Sequence, residues 1–152
     1  MNGLNTSLFY ALLMLVAGLG IPIMAALNGG LGTKLQSPAL ATSILFIVGS
    51  VISLSYLFIS GGIPKLSPVE PIPVYFYFGG FFVIFYILSI TWVAPKFGVG
   101  NAVSFVLLGQ LISMAIIDHY SLLGAPQNSI SIQRLIGLVF MATGVFLVVR
   151  RF

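Results

Sequence analysis

Gly109-Gln110-Leu111-Ile112-Ser113-Met114-Ala115-Ile116-Ile117-Asp118-His119 is the stretch that decides how this chain is read. It closes an uncharged run from 97 to 117, yet it carries an amide and then a carboxylate beside the only histidine in the sequence. A helix needs about 20 mostly apolar residues to cross the hydrocarbon of a bilayer, and this run is long enough. Polar and ionisable groups at such depth are costly, so each calls for a reason.

Working outward, the same pattern repeats. Charged residues occur only at Lys34, Lys65, Glu70, Lys96, Asp118, Arg134, Arg150 and Arg151, which leaves further uncharged intervals at 1–33, 35–64, 71–95 and 135–149. The last interval is short, but the long side chains of Arg134 and Arg150 reach the two interfaces by snorkelling. The chain therefore reads as an all-α integral membrane protein with five transmembrane helices. It forms a single membrane domain over 1–152, with spans at about 7–27, 39–60, 73–94, 100–118 and 133–149. Composition agrees: 5% of the residues are charged, where a soluble domain has about 25%.

The same counts exclude whole classes of chemistry. Without cysteine there is neither a disulfide nor a thiolate metal site. One histidine and two carboxylates make a poor metal cluster, so no metal and no cofactor is expected. Paired carboxylates and a Ser/His/Asp arrangement are both missing, which argues against an enzyme. The net charge of +4 comes from basic residues scattered singly at span ends, a pattern of interfacial anchors and not of a nucleic-acid surface. The first apolar run is too long for a cleaved signal and lacks a basic leader, so it is read as the first span.

In span 1, Gly18, Pro22, Ala25 and Gly29 recur at three- or four-residue spacing and share a face. That face is either a close helix contact or, with Pro22 breaking one backbone bond, part of a cavity wall. Asn28 precedes Gly29-Gly30 and reads either as a C-terminal cap or as the one polar ligand this span offers a transport path. A loop at 29–37 comes next, and Pro38 opens span 2, where Thr42, Gly49 and Ser53 lie near one face. The loop from Gly61 to Pro71 holds three prolines and Glu70, which reads as a solvated charge. Span 3 is dense in aromatics, with Tyr75 and Tyr77 at one end and Trp92 at the other, as in an interfacial belt. Trp92 is also a candidate path residue. Tyr86 lies deeper, and its hydroxyl requires either a neighbouring helix or a cavity. Pro95-Lys96-Phe97-Gly98 reads as a tight turn into span 4.

On a helical wheel of span 4, Asn101, Ser104, Asp118 and His119 fall in one sector of about 100°, with Gln110 at its border. Gln110 sits near mid-membrane, either as interhelical glue or as a side chain facing substrate. Asp118 lies at the span end, opposed by the helix dipole, with Arg134 of span 5 available on the same side to compensate it. Asp118 with Arg134 or His119 is then an ion pair that fixes helix ends; the alternative makes Asp118 and His119 a proton site or gate. Gly137 and Gly144 mark a packing face on span 5. Lys34, Lys96, Arg150 and Arg151 lie on the side of the C-terminus, against Lys65 and Arg134 on the other, so the positive-inside rule favours a cytoplasmic C-terminus. That margin rests on the two terminal arginines.

Taken in order, Ile21-Pro22 through Asn28, Ser37-Pro38 leading to Val48-Gly49, Gly79-Gly80, Gly109-Gln110 followed by Asp118-His119, and Arg134-Leu135-Ile136-Gly137 resemble the YdcZ-like proteins. These are small five-span bacterial membrane proteins within the drug/metabolite transporter superfamily. The resemblance implies a multi-pass protein of the bacterial inner membrane and one half of a ten-helix inverted-repeat transporter. Its partner is a second copy in an antiparallel, dual-topology homodimer, or a paired homologous subunit. Because the span number is odd, a second copy fused in tandem is inverted, and inverted halves place a site near the bilayer midplane. The expected function is small-molecule transport by alternating access, with the cargo left open. The contrasting reading is a non-transporting accessory or assembly subunit of another membrane complex. In the transporter reading Gln110, Asn28, Tyr86, Ser104 and Trp92 line the path, and Asp118 and His119 stand near one mouth. Unlike the small multidrug resistance family, which relies on a glutamate in its first span, span 1 here has no acidic residue.

Overall fold

A computed structural model describes residues 3–63 and 72–149, and every described regular element is helical. The elements are α1 (Gly3–Lys34), α2 (Pro38–Ile59), α3 (Gly79–Phe97), α4 (Val99–Tyr120) and α5 (Ile132–Val149). Short 3-10 turns precede α3 at Val74–Phe78 and succeed α4 at Leu122–Gly124. Five segments are long and apolar enough to cross a membrane: Thr6–Lys34, Pro38–Ile59, Val74–Phe97, Val99–Tyr120 and Ile132–Val149. Asn28-Gly29-Gly30 does not end the first helix, and the loop expected at 29–37 shrinks to the few residues after Lys34. The cause is side-chain use: Asn28 spends its amide on another helix, donating from Nδ2 to Thr91 Oγ1 at 2.5 Å. Gly29 and Gly32 serve close packing and not a turn. A Cβ on Gly29 would stand 3.2 Å from Pro95 Cγ, and one on Gly32 would stand 3.0 Å from Thr91 Cγ2. Pro95, expected in a turn, lies inside α3, which ends at Phe97; Gly98, at φ 92°, makes the corner alone. Ser37 caps α2, accepting from the Leu40 amide at 3.2 Å, with Pro38 in the first turn.

The helices alternate in direction, so α1 and α3 run parallel, and Gly29 meets Pro95 near the C-terminal ends of both. Burial is concentrated at the membrane side that holds these ends, called here the C-terminal side. Ala25 and Asn28 of α1, Ala41 and Thr42 of α2, Ile87, Ile90, Thr91 and Ala94 of α3, Ala102 of α4 and Val145 of α5 are buried there. In the opposite, N-terminal-side half, Ala115 is the one buried residue among those described. Residue size accounts for the asymmetry. The contact faces of the packed half are built from alanine and glycine, which let helix backbones approach closely in lipid. The other half carries Leu8, Phe9, Leu12, Leu13, Met14, Leu15 and Val16 on α1, and Phe81, Phe82, Val83, Ile84 and Phe85 on α3, all exposed. Helices α1 to α4 thus pack together at one end, whereas at the other α1 and α3 are exposed and α4 stays joined to α5.

Candidate functional site

The gap where α1, α3 and α4 separate begins at a small core. Ala25, Ile90, Ala94 and Ala102 form it, with Tyr86, Val93, Val99 and Val103 packed against them. Seven residues are two helical turns within about 20° of the same direction, so a step of seven along a helix stays on nearly the same face. Gly18 lies seven before Ala25, Val83 seven before Ile90, and Gln110 seven after Val103. All three are exposed, because the helices have parted by then. Gln110 makes no hydrogen bond to any described residue, although its amide sits near the middle of α4. At membrane depth an amide has both donors and acceptors to satisfy, and lipid supplies neither. Pro22, lacking an N–H, cannot donate to the carbonyl of Gly18 one turn earlier on the same face of α1. Tyr86 closes the base: its hydroxyl is shielded and has no partner among the described residues. The Tyr86 ring also borders an outer groove of about 290 Å³ between α3 and α4, with Ser89, Val93, Phe97, Phe105 and Val106.

The remaining site residues fall elsewhere. Asn28, 4% exposed, and Thr91, 1% exposed, form the polar clasp between α1 and α3 in the packed half. Ser104 is half-buried and about 120° around α4 from Gln110. Trp92 is exposed near the C-terminal end of α3, with Lys96 Nζ 4.1 Å from its ring centroid. It lines a groove with Thr33, Gln36 and Pro38, apart from the one beside Tyr86. So Tyr86 and Gln110 both lie near mid-membrane, while Asn28, Ser104 and Trp92 belong to the packed end. Thr91 had no place among the sequence candidates. A threonine beside a tryptophan in an apolar run carries no mark of its partner 63 residues earlier.

Asp118, His119 and Arg134 come together at the far end of α4. Arg134 Nη2 donates to Asp118 Oδ2 at 2.5 Å, and Nη1 donates to the Asn128 carbonyl at 3.1 Å. The Asn128 amide in turn donates to the Asp118 carbonyl at 2.9 Å. His119 Nδ1 accepts the Ile130 amide at 3.3 Å, and its ring meets Tyr120 edge-on at 4.7 Å. The Asn128 and Ile130 contacts draw the α4–α5 loop onto the helix ends, and the Arg134–Asp118 pair ties α5 to α4. Accepting an amide at Nδ1 requires that nitrogen to be unprotonated. The described residues include no group of three or more potential metal ligands.

A family model described as "Putative inner membrane exporter, YdcZ" matches residues 9–147. No curated protein and no solved structure matches the chain.

Proposed function

The chain belongs to the YdcZ family of inner-membrane exporters, and from that premise we propose that it moves a small molecule by alternating access as an antiparallel pair of five-helix copies. Family and helices together make it a multi-pass inner-membrane protein and a membrane transporter in general terms. The observation that carries the finer reading is Gln110, an amide near mid-membrane, exposed and without a partner among the described residues. A second, inverted copy gives that amide a polar setting and encloses the gap that α1, α3 and α4 leave open. Inverted halves meet at the midplane, which is the depth of Gln110. Opening and closing then consist of one copy rocking against the other about the packed ends.

In this reading Gln110 and Tyr86 contact cargo. Asn28 acts as a positioning residue that holds α1 against α3, and Asp118 with Arg134 fixes the rim. Two measurements test the pair. A cysteine added at either terminus is labelled from outside intact cells, and a dual-topology dimer exposes a fraction of each. If a single terminus is ever labelled, the antiparallel homodimer is wrong. Solute counterflow in liposomes tests transport itself: its absence for every solute, together with co-purification of a different membrane protein, favours an accessory subunit.

A further inference from the structure

We propose that the groove between the ends of α1 and α3 binds one anionic phospholipid, with its phosphate at Lys96 and a hydroxyl-bearing headgroup at Thr33 and Gln36. The groove has a volume of about 450 Å³, and Gly32, Thr33, Gln36, Trp92 and Lys96 are among the residues that line it. It lies at the C-terminal ends of two membrane-spanning segments, which is the level of the lipid headgroups. Lys96 supplies a positive charge, with Nζ 4.1 Å from the centroid of the Trp92 ring. Thr33 Oγ1 already donates its proton to the Gly29 carbonyl at 3.0 Å, so toward a ligand it accepts. The Gln36 amide both donates and accepts, and no described residue bonds its side chain. A phosphate takes the cation and the amide N–H, and a glycerol hydroxyl takes the Thr33 oxygen. Toward mid-membrane the surface turns apolar. Phe85, seven residues before Trp92 and within about 20° of its direction on α3, is exposed and offers an acyl chain a track.

The backbone at Gln36 adds an independent observation. α1 ends in a Schellman turn, in which the Ser37 amide donates to the Gly32 carbonyl at 3.0 Å and the Gln36 amide to the Thr33 carbonyl at 3.2 Å. The residue after the cap in such a turn is left-handed and is usually glycine. Here it is Gln36, at φ 53°. A Cβ is strained in that conformation, and glycine would relieve it. The strain leaves an amide at the rim of the groove, and strained positions of this kind cluster at ligand sites. Pro38 of α2 also borders the groove, so a lipid seated there touches α1, α2 and α3 at the end where they pack. The inference is separate from the transport reading and needs only the membrane placement of the helices.

The test measures lipid retention by the full-length protein in native mass spectrometry, and its melting temperature in a neutral detergent. Dioleoyl-phosphatidylglycerol, dioleoyl-phosphatidylcholine and soluble glycerol phosphate are added in turn. The expected result is one tightly retained phosphatidylglycerol per chain and a raised melting temperature, with little retention of phosphatidylcholine. Lys96→Gln is expected to weaken retention about fivefold, the effect of one basic group beside an anionic lipid. Gln36→Gly is expected to weaken retention while the lipid-free protein melts at the same temperature or higher, because glycine suits the left-handed turn. Lys34→Gln removes an equal charge next to Thr33 but outside the groove lining, and is expected to change retention little. Equal losses at Lys34 and Lys96 show diffuse attraction to anionic lipid and overturn the site, as does undiminished retention by Gln36→Gly. Phosphatidylcholine held as tightly as phosphatidylglycerol overturns it too. Glycerol phosphate bound as tightly as the whole lipid overturns it in favour of a soluble phosphate.

Discussion

The two ends of this bundle are built from the same residue classes in different sizes, and the sizes decide what each end does. At the C-terminal side, Ala25, Gly29, Gly32, Ala41, Ala94 and Ala102 bring four helices into contact, and the buried Asn28–Thr91 hydrogen bond sets their register. At the N-terminal side, leucine and phenylalanine occupy the corresponding turns of α1 and α3, and the helices diverge. One end is a joint and the other is loosely packed. A polar residue means something different in each: Asn28 bonds Thr91, whereas Gln110 has no partner among the described residues.

That contrast is open to attack at several points. The largest effect is expected at Gly32, where any Cβ begins 3.0 Å from Thr91 Cγ2. Gly32→Leu should destabilise the fold by about 3 kcal/mol, since overpacking a close helix contact forces the backbones apart. Thermal unfolding in detergent measures it, and the same change at Gly18, where nothing lies within 4 Å, should leave the melting temperature unaltered. A smaller effect is expected for the clasp. Asn28→Leu and Thr91→Val should each cost about 1–2 kcal/mol. The double variant should cost little more than either, because the two groups satisfy one another. Fully additive losses would mean that Asn28 and Thr91 act separately. Smaller again is the rim: Arg134→Gln leaves Asp118 unpaired at a partly exposed site and should cost about 1 kcal/mol or less. Its clearer readout is proteolysis of the α4–α5 loop, which should become faster. Asp118→Asn in the same background should restore stability without restoring the loop, because Arg134 also holds the Asn128 carbonyl.

The five spans were legible because a bilayer imposes one rule on length and charge, and eight charged residues mark its borders. Helix ends were less so. Asn-Gly-Gly at 28–30 and Pro-Lys-Phe-Gly at 95–98 carry the local chemistry of a cap and a turn. In both places tertiary packing overrides it: glycine and proline fit α1 against α3, and Asn28 finds Thr91. The polar residues of the spans were legible by type, and their grouping was not. Gln110 and Tyr86 stood out as polar groups in apolar runs. Only the direction of helix divergence separates them from Asn28, Ser104 and Trp92, and divergence depends on facing residues that one helical wheel does not contain.

The central claim is that Gln110 faces a water-accessible path while the joint behind it is dry. The chain has no cysteine, so single substitutions report without background. Gln110→Cys and Ala94→Cys in liposomes are treated with a membrane-impermeant thiol reagent, with Leu107→Cys as a further exposed position on α4, three residues from Gln110. The prediction is rapid modification at 110, slow modification at 107, and none at 94. Equal protection at 110 and 94 would show that the gap is filled by lipid or by protein, and would contradict the account.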